Sequence, residues 1–384
     1  MEAYFDNSAT TRVLDSVRDI VLKTMTEDYG NAASRHRKGM EAEQYIRTAR
    51  TQIAQTLKVP EKEILFTSGG SESNNTALIG GALANQRTGK HIISTAIEHA
   101  SVYNPLLALE DFGFEVTFLP VDHDGHISLK DLEEAIRPDT IIVSVMYVNN
   151  EVGAIEPIEE ISRIVKKKNP KTLLHVDAIQ AYGKFQIRPK KQGIDLMSVS
   201  AHKIHGPKGV GFLYINTGVK VKPLIYGGGQ QNNMRSGTEN VPGIAGLGEA
   251  AKEMYTNHAE KIARLTDLKD YMTDRMAEIE GTTVNSKKGA ESAPQIVSVS
   301  FAGVRAEVLL HALEDKGIYV SSGSACSSNH PGISGTLTGI GVAQNLLDST
   351  LRFSFGLFNT KEEIDYCIDT LKELLPVLRR YQRG

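Results

Sequence analysis

Several side chains capable of chemistry stand where apolar runs give way to turns. Lys203 lies in Ser200-Ala201-His202-Lys203-Ile204-His205-Gly206, between one apolar run and the next, Val210 to Ile215. A lysine amine in a partly desolvated pocket suits a Schiff base with an aldehyde cofactor, which in turn needs ring and anion contacts close by. A lysine in a turn is otherwise a solvated charge, so the reading depends on its companions. Asp177, in Leu174-His175-Val176-Asp177-Ala178-Ile179-Gln180, ends a buried-looking run, the edge at which open α/β sheets bind ligands. A carboxylate there holds a pyridine nitrogen protonated, and Gln180 is three residues on for a ring hydroxyl. The plainer alternative for Asp177 is a helix cap. His99, after the run His91 to Thr95, reaches the same edge, where an imidazole stacks on a flat ring and moves protons near neutral pH, or simply opens a helix. Asn150 follows another run and is either a ligand for ring or substrate oxygens or part of an Asn-rich turn.

A phosphate needs a different device. Phe66-Thr67-Ser68-Gly69-Gly70-Ser71-Glu72 leaves a strand, passes two glycines and enters a helix. The N–H groups there, with the Ser71 hydroxyl, form an anion cradle at the positive end of the helix dipole, unless the turn is no more than a cap.

The elements that must position these groups follow from periodicity. Strands are predicted at Ile64 to Thr67, His91 to Thr95, Val116 to Leu119, Ile141 to Val148, Thr172 to Val176, Leu196 to Ser200 and Val210 to Ile215, alternating with helical patterns. That alternation predicts an α/β fold with a mostly parallel sheet. Ile46, Ala49, Ile53 and Leu57 share one helical face, and Pro157 opens a helix that ends in the solvated cations Lys166-Lys167-Lys168. From Met254 the pattern changes to a smaller α+β unit: one long charged helix to Ile279, then Ile296 to Phe301 with period two, as for a strand with one covered face. A helix at Ala306 to Lys316, strands at Ile318 to Ser321 and Leu351 to Phe355, and a helix from Lys361 follow. The Ser-, Gly- and Asn-rich stretch between Ser321 and Ser349, which carries Cys326, reads as a mobile loop, and the tail Arg379-Arg380-Tyr381-Gln382-Arg383 as a fraying helix end. The chain thus divides into a large domain, residues 15–253, and a small one made of residues 1–14 plus 254–384.

Composition bounds the functions. The chain has 384 residues, 40% hydrophobic and 23% charged, with a net charge of −3, so nothing points to direct nucleic-acid binding or to a membrane. Two cysteines, Cys326 and Cys367, cannot build a disulfide framework and fit a reducing, cytoplasmic setting, with Cys367 read as core packing. The 11 histidines include no zinc-type spacing, and no metal is expected.

Ten segments, in order from Tyr4 to about Ile364, together resemble the NifS/IscS-type cysteine desulfurases of the class V aminotransferase group. They include Asp6-Asn7-Ser8-Ala9-Thr10-Thr11, Ser68-Gly69-Gly70-Ser71-Glu72-Ser73-Asn74, Glu98-His99, His175-Val176-Asp177-Ala178-Ile179-Gln180, Ser200-Ala201-His202-Lys203, Arg235-Ser236-Gly237-Thr238-Glu239-Asn240, Ser322-Gly323-Ser324-Ala325-Cys326 and Leu351-Arg352-Phe353-Ser354. The resemblance implies the type I pyridoxal-phosphate fold, the cofactor pyridoxal 5'-phosphate and L-cysteine as substrate. It implies Lys203 as the Schiff-base residue, Asp177 at the ring nitrogen, His99 on the ring face and Gln180 at the ring hydroxyl. Gly70, Ser71, Ser200 and His202 would hold phosphate, with Thr238 reaching in from the second subunit of a homodimer. Asn150 and Arg352 would receive the substrate carboxylate, for which a guanidinium fork is the natural partner. Cys326 would be the nucleophile that keeps the sulfur as a persulfide, for an acceptor such as an iron–sulfur scaffold or a tRNA-thiolation enzyme. Two positions depart from the pattern: Ser71 replaces a common threonine and keeps the hydroxyl, whereas Leu357 replaces a basic or polar residue. The alternatives are a selenocysteine lyase or another class V aminotransferase-type enzyme, and, last, a non-catalytic interaction protein, which would be expected to have lost the lysine, aspartate or arginine.

Overall fold

The computed structural model describes residues 1–322 and 334–381, and Cys326 lies outside the described residues. Seven strands form one sheet in the order Ile64–Thr67, Gly211–Ile215, Leu196–Ser200, Leu173–Asp177, Thr140–Met146, His91–Thr95, Glu115–Leu119. Their neighbours run parallel except at Gly211–Ile215, which is antiparallel to both flanking strands. Only residues 201–210 separate it from Leu196–Ser200, fewer than the dozen or so that a parallel crossover needs. Every residue of Thr140–Met146 and Leu196–Ser200 is buried, as for strands covered on both faces.

Helices cover the sheet. Arg37–Leu57 turns Ile46, Ala49, Ile53 and Leu57 into the main core, each buried Ile or Leu contributing roughly 1.5–3 kcal/mol. Ile158–Lys168 follows Pro157, but its last turn is not simply solvated: Lys166 Nζ pairs with Asp195 Oδ2 at 2.6 Å and Lys168 with Glu133 at 3.6 Å. A lysine at a helix end can satisfy a carboxylate as well as the dipole when the next strand brings one within reach.

A second core surrounds an antiparallel sheet ordered Ser321–Ser322, Thr350–Ser354, Ile296–Phe301, Thr282–Val284, and it includes Ala3 and Phe5 from the amino terminus. Ala3–Tyr4 pairs in parallel with Ile318–Tyr319.

Four readings are corrected here. The long charged helix begins later than Met254: it runs His258–Ala277, set off by Asn257 at φ 48° from a separate helix, Val241–Tyr255, that precedes it. Ile296–Phe301 is buried on both faces, because its serines find polar partners: Asn285 Nδ2 donates to Ser298 Oγ and Ser300 Oγ, and Ser300 bonds Thr350. Within the stretch read as a loop, Gly335–Gly339 is a short helix capped by Ser334, whose Oγ accepts from Leu337 N. The last helix runs Lys361–Tyr381 without fraying at Arg379, which donates to Ala302 O at 3.0 Å and Glu280 O at 2.8 Å.

Candidate active site

The carboxyl ends of five parallel strands converge on one cavity of about 360 Å³. Gly70 and Ser71 follow the first strand, His99 the second, Asn150 the third, Asp177 and Gln180 the fourth, and Ser200, His202 and Lys203 the fifth. Arg352 enters from the second sheet, so ten predicted residues line one space. Thr238 is exposed and lies outside that lining, and Cys326 lies outside the described residues. A larger cavity of about 620 Å³, beside Arg47, Arg50 and Glu239, holds none of the predicted residues.

Asp177 is buried, with Oδ1 accepting from Ile179 N at 3.0 Å and Oδ2 from Asn74 Nδ2 at 2.8 Å. The same Asn74 amide donates to Ser101 Oγ at 2.9 Å, and Ser101 Oγ lies 2.8 Å from His99 Nδ1. His99 is the N-cap of Ala100–Glu110, and its Nδ1 also accepts from Ser101 N at 3.1 Å. With Nδ1 occupied as an acceptor, the ring proton is assigned to Nε2. Burial lowers the His99 pKa, Lys203 and Arg352 lower it further, and Asp177 opposes them. Burial raises Asp177, against the bonds from Ile179 and Asn74. Glu98 sits behind them: its Oε1 accepts from Met146 N and Thr95 Oγ1, each at 2.8 Å. Burial, with the nearby charge of Asp177, pushes its carboxyl well above the usual range while its oxygen ties two strand ends together.

Lys203 ends the 3₁₀ turn Ala201–Lys203, and its Nζ donates to Ser8 O at 2.5 Å and Ala9 O at 2.7 Å. Gln180 Nε2 donates to the same Ser8 O at 3.0 Å. Lys184 is buried beneath, donating to Lys203 O at 2.5 Å, and burial with the charge of Lys203 lowers its pKa to about 7. His202 lies 3.2 Å from Thr10 Oγ1, and burial, then the lysines around it, lower its pKa to about 4. It is therefore a neutral donor or acceptor at neutral pH.

At the anion cradle the helical run starts at Gly70 and continues through Thr76–Gly80 and Gly81–Asn85. Gly69 takes φ 144°, which favours glycine, and a Cβ on Gly70 would lie 2.3 Å from Ile179 Cδ1, so a side chain there would displace Ile179. Glu72 reaches back to Ser68 N at 2.7 Å and receives Arg235 Nε at 2.9 Å. A second cavity lined by Gly70, Ser71, Ser200 and His202 adjoins the first.

These groups fit pyridoxal 5'-phosphate on chemical grounds. A buried carboxyl of raised proton affinity suits a ring N–H⁺, a neutral imidazole suits a ring face, and N–H groups with hydroxyls suit a phosphate. No group of His, Cys, Asp and Glu among the described residues is arranged to hold a metal. Sequence reasoning missed Asp6, Ser8, Asn74, Ser101, Glu98 and Lys184. For Asn74 a signal existed, since it stands one helical turn after Gly70 and so faces the same side; Asp6 and Ser8 stand in a segment that carries the resemblance, but their partners are distant in the chain and give them no readable role.

The aminotransferase class-V family model matches residues 3–367. A curated relative from Dictyoglomus turgidum, "Cysteine desulfurase IscS", is 42% identical over 98% of this chain and 95% of its own length. A solved "NIFS-LIKE PROTEIN" is 40% identical with a TM-score of 0.93, covering 98% of this chain and 100% of that one. A third, "SspA in complex with cysteine", is 33% identical with a TM-score of 0.80, covering 93% and 100%. Among the described residues no helix is long and apolar enough to cross a membrane.

Proposed function

The chain belongs to the aminotransferase class-V family, as a cysteine desulfurase that uses pyridoxal phosphate, and from that premise we propose how its own residues carry the reaction. The observation that carries the proposal is the meeting of Lys203, Asp177, His99 and Arg352 around one cavity. When bound, pyridoxal 5'-phosphate supplies an aldehyde for the substrate amine and a ring that draws electrons from the substrate α-carbon. Asp177 would hold the ring nitrogen, His99 the ring face, Gln180 the ring hydroxyl, and Gly70, Ser71, Ser200 and His202 the phosphate, with Thr238 contributed by a second subunit. Arg352 and Asn150 receive the substrate carboxylate, and Lys203 Nζ moves the α-proton.

Cys326 is the proposed nucleophile. Its thiolate attacks the sulfur of L-cysteine; the substrate Cβ–S bond breaks, an S–S bond forms, and Cβ takes up a proton. L-Alanine leaves, the persulfide stays on Cys326, and no outside oxidant is required. A thiol of an acceptor protein, an iron–sulfur scaffold or a tRNA-thiolation enzyme, then takes the sulfur in the cytoplasm. We also assign residues 15–253 to a large domain and 1–14 plus 254–384 to a small one, a division supported by the two separate cores.

The test is alanine and sulfide formation from L-cysteine with a thiol reductant, read beside the visible spectrum. Lys203→Ala is expected to lose the cofactor band and turnover, whereas Cys326→Ala keeps the band and stops alanine formation. Sulfide release by Cys326→Ala at the wild-type rate would remove Cys326 as the nucleophile, and a wild-type band without alanine would assign the site to another amino acid.

A further inference from the structure

Residues 5–8 run beside the strand that carries Arg352. Ser354 N donates to Phe5 O at 2.6 Å, Asn7 N to Ser354 O at 3.3 Å, and Ser8 N to Ser354 Oγ at 2.8 Å. Phe5 is fully buried, its ring edge-on to Phe355 at 5.7 Å between centroids. Asp6 is therefore held in place by main-chain pairing and by a core anchor. Its Oδ1 accepts from Arg352 Nη2 at 2.9 Å, while Asn150 O accepts from Nη1 at 2.9 Å. Arg352 Nε is buried without a hydrogen-bond partner. Both side chains line the cavity, the arginine 7% and the aspartate 22% exposed.

A guanidinium this deeply buried holds any carboxylate strongly, the product's as well as the substrate's. An anion fixed on one of its nitrogens cancels part of that field and fixes the plane of the fork. We infer that Asp6 positions Arg352 and limits how tightly it holds a carboxylate, so that substrate is captured and product is released. The inference rests on the reading of Arg352 as the carboxylate receiver. It makes Asp6 a positioning residue that sets binding strength by acting through another side chain.

Two substitutions separate charge from shape. Asp6→Asn keeps the Oδ1 acceptor for Nη2 and removes the charge, whereas Asp6→Ala removes both. The probe is 3-mercaptopropionate, which has the carboxylate and thiol of the substrate but no amine, titrated calorimetrically into the holoenzyme. Asp6→Asn is expected to lower its Kd roughly tenfold. KM for L-cysteine and kcat are expected to fall together as alanine release slows. Asp6→Ala is expected to forfeit the gain, with a Kd at or above wild type, because the fork loses its anchor. Arg352→Gln is expected to abolish probe binding. If Asp6→Asn binds no tighter than wild type, or Asp6→Ala binds as tightly as Asp6→Asn, the inference is overturned and the role of Arg352 stands. If Arg352→Gln binds the probe like wild type, the carboxylate reading itself falls, and the inference with it. Should Asp6→Ala fail to fold, the isosteric Asp6→Asn still decides against wild type.

Discussion

Asn74 has neither charge nor nucleophile, yet its amide spans Asp177 and Ser101 and so links the acid at one strand end to the histidine at another. Asn74→Ala strips a donor from the buried Asp177 Oδ2, a loss of about 1–3 kcal/mol for a buried group left unsatisfied, and frees the half-buried Ser101 hydroxyl from its link to Asn74. The holoenzyme is expected to melt at a lower temperature and to lose cofactor on dialysis, both read from the visible band. Asn74→Asp is expected to do worse than Asn74→Ala, since it sets a second carboxylate against Asp177, already raised by burial. A variant that melts early but retains cofactor as wild type does would reduce Asn74 to packing. The residues proposed to perform chemistry were legible at this scale because Lys203, Asp177 and His99 each follow an apolar run, and a strand end in an α/β sheet is where side chains meet a ligand. Their supports were less legible: Asn74 is signalled only by its place one helical turn after Gly70, and an amide or a serine reads the same in sequence whether it faces solvent or an acid.

At the scale of elements, the segment between Thr140–Met146 and Ile158–Lys168 folds back on itself through the bridge of Val148 with Ile155. Glu156 fastens this turn to the neighbouring loop, with Oε1 accepting from Ile127 N at 3.1 Å and Oε2 buried without a partner. Burial raises its pKa from 4.5 to about 8, opposed by the bond from Ile127 and reinforced by Asp122. The folded protein thus keeps a proton that the unfolded chain gives up above 4.5. The associated stability is intact below pH 4.5 and is lost as pH rises through about 8. Glu156→Gln mimics the protonated acid, so its melting temperature is expected to match wild type below pH 4.5 and to exceed it above about 8. Parallel melting curves for the two proteins across that window would assign the pH dependence to other groups. The elements themselves were legible where an apolar run ends sharply: Ile64–Thr67, His91–Thr95 and Leu196–Ser200 stand at the predicted bounds. Direction was not, since a run such as Gly211–Ile215 reads alike in either sense and only the shortness of its connection reverses it. Gly335–Gly339 was hidden for another reason: Ser, Gly and Thr predict no helix, and Ser334 with the apolar contacts of Leu337 supplies what propensity lacks.

At the scale of the whole molecule, residues 216–240 connect the large sheet to Val241–Tyr255 with little regular structure. The segment is fastened at two points. Gln231 receives Phe66 N and donates to Phe66 O, each at 2.8 Å, so that its amide caps the edge strand Ile64–Thr67. Arg235 pairs with Glu72 at the start of the anion cradle. Around these anchors Gln231, Asn232 and Asn233 all take positive φ, Tyr226 is 77% exposed, and Thr238 is exposed outside its own cavity's lining. Backbone strain of this kind persists where surrounding structure holds it, and the exposed Thr238 is the residue proposed to serve the site of a second subunit. The holoenzyme is accordingly expected to sediment as a dimer, and Thr238→Ala is expected to leave the dimer intact while weakening cofactor affinity. Mixing subunits locates the contribution. In a hybrid of Lys203→Ala with Thr238→Ala, the site that keeps Lys203 receives an intact Thr238 from its neighbour. Activity of the mixture at limiting cofactor is then expected to exceed the sum of the two variants measured apart. A mixture no more active than that sum would confine Thr238 to its own subunit, and the exposed position of the residue would need another account.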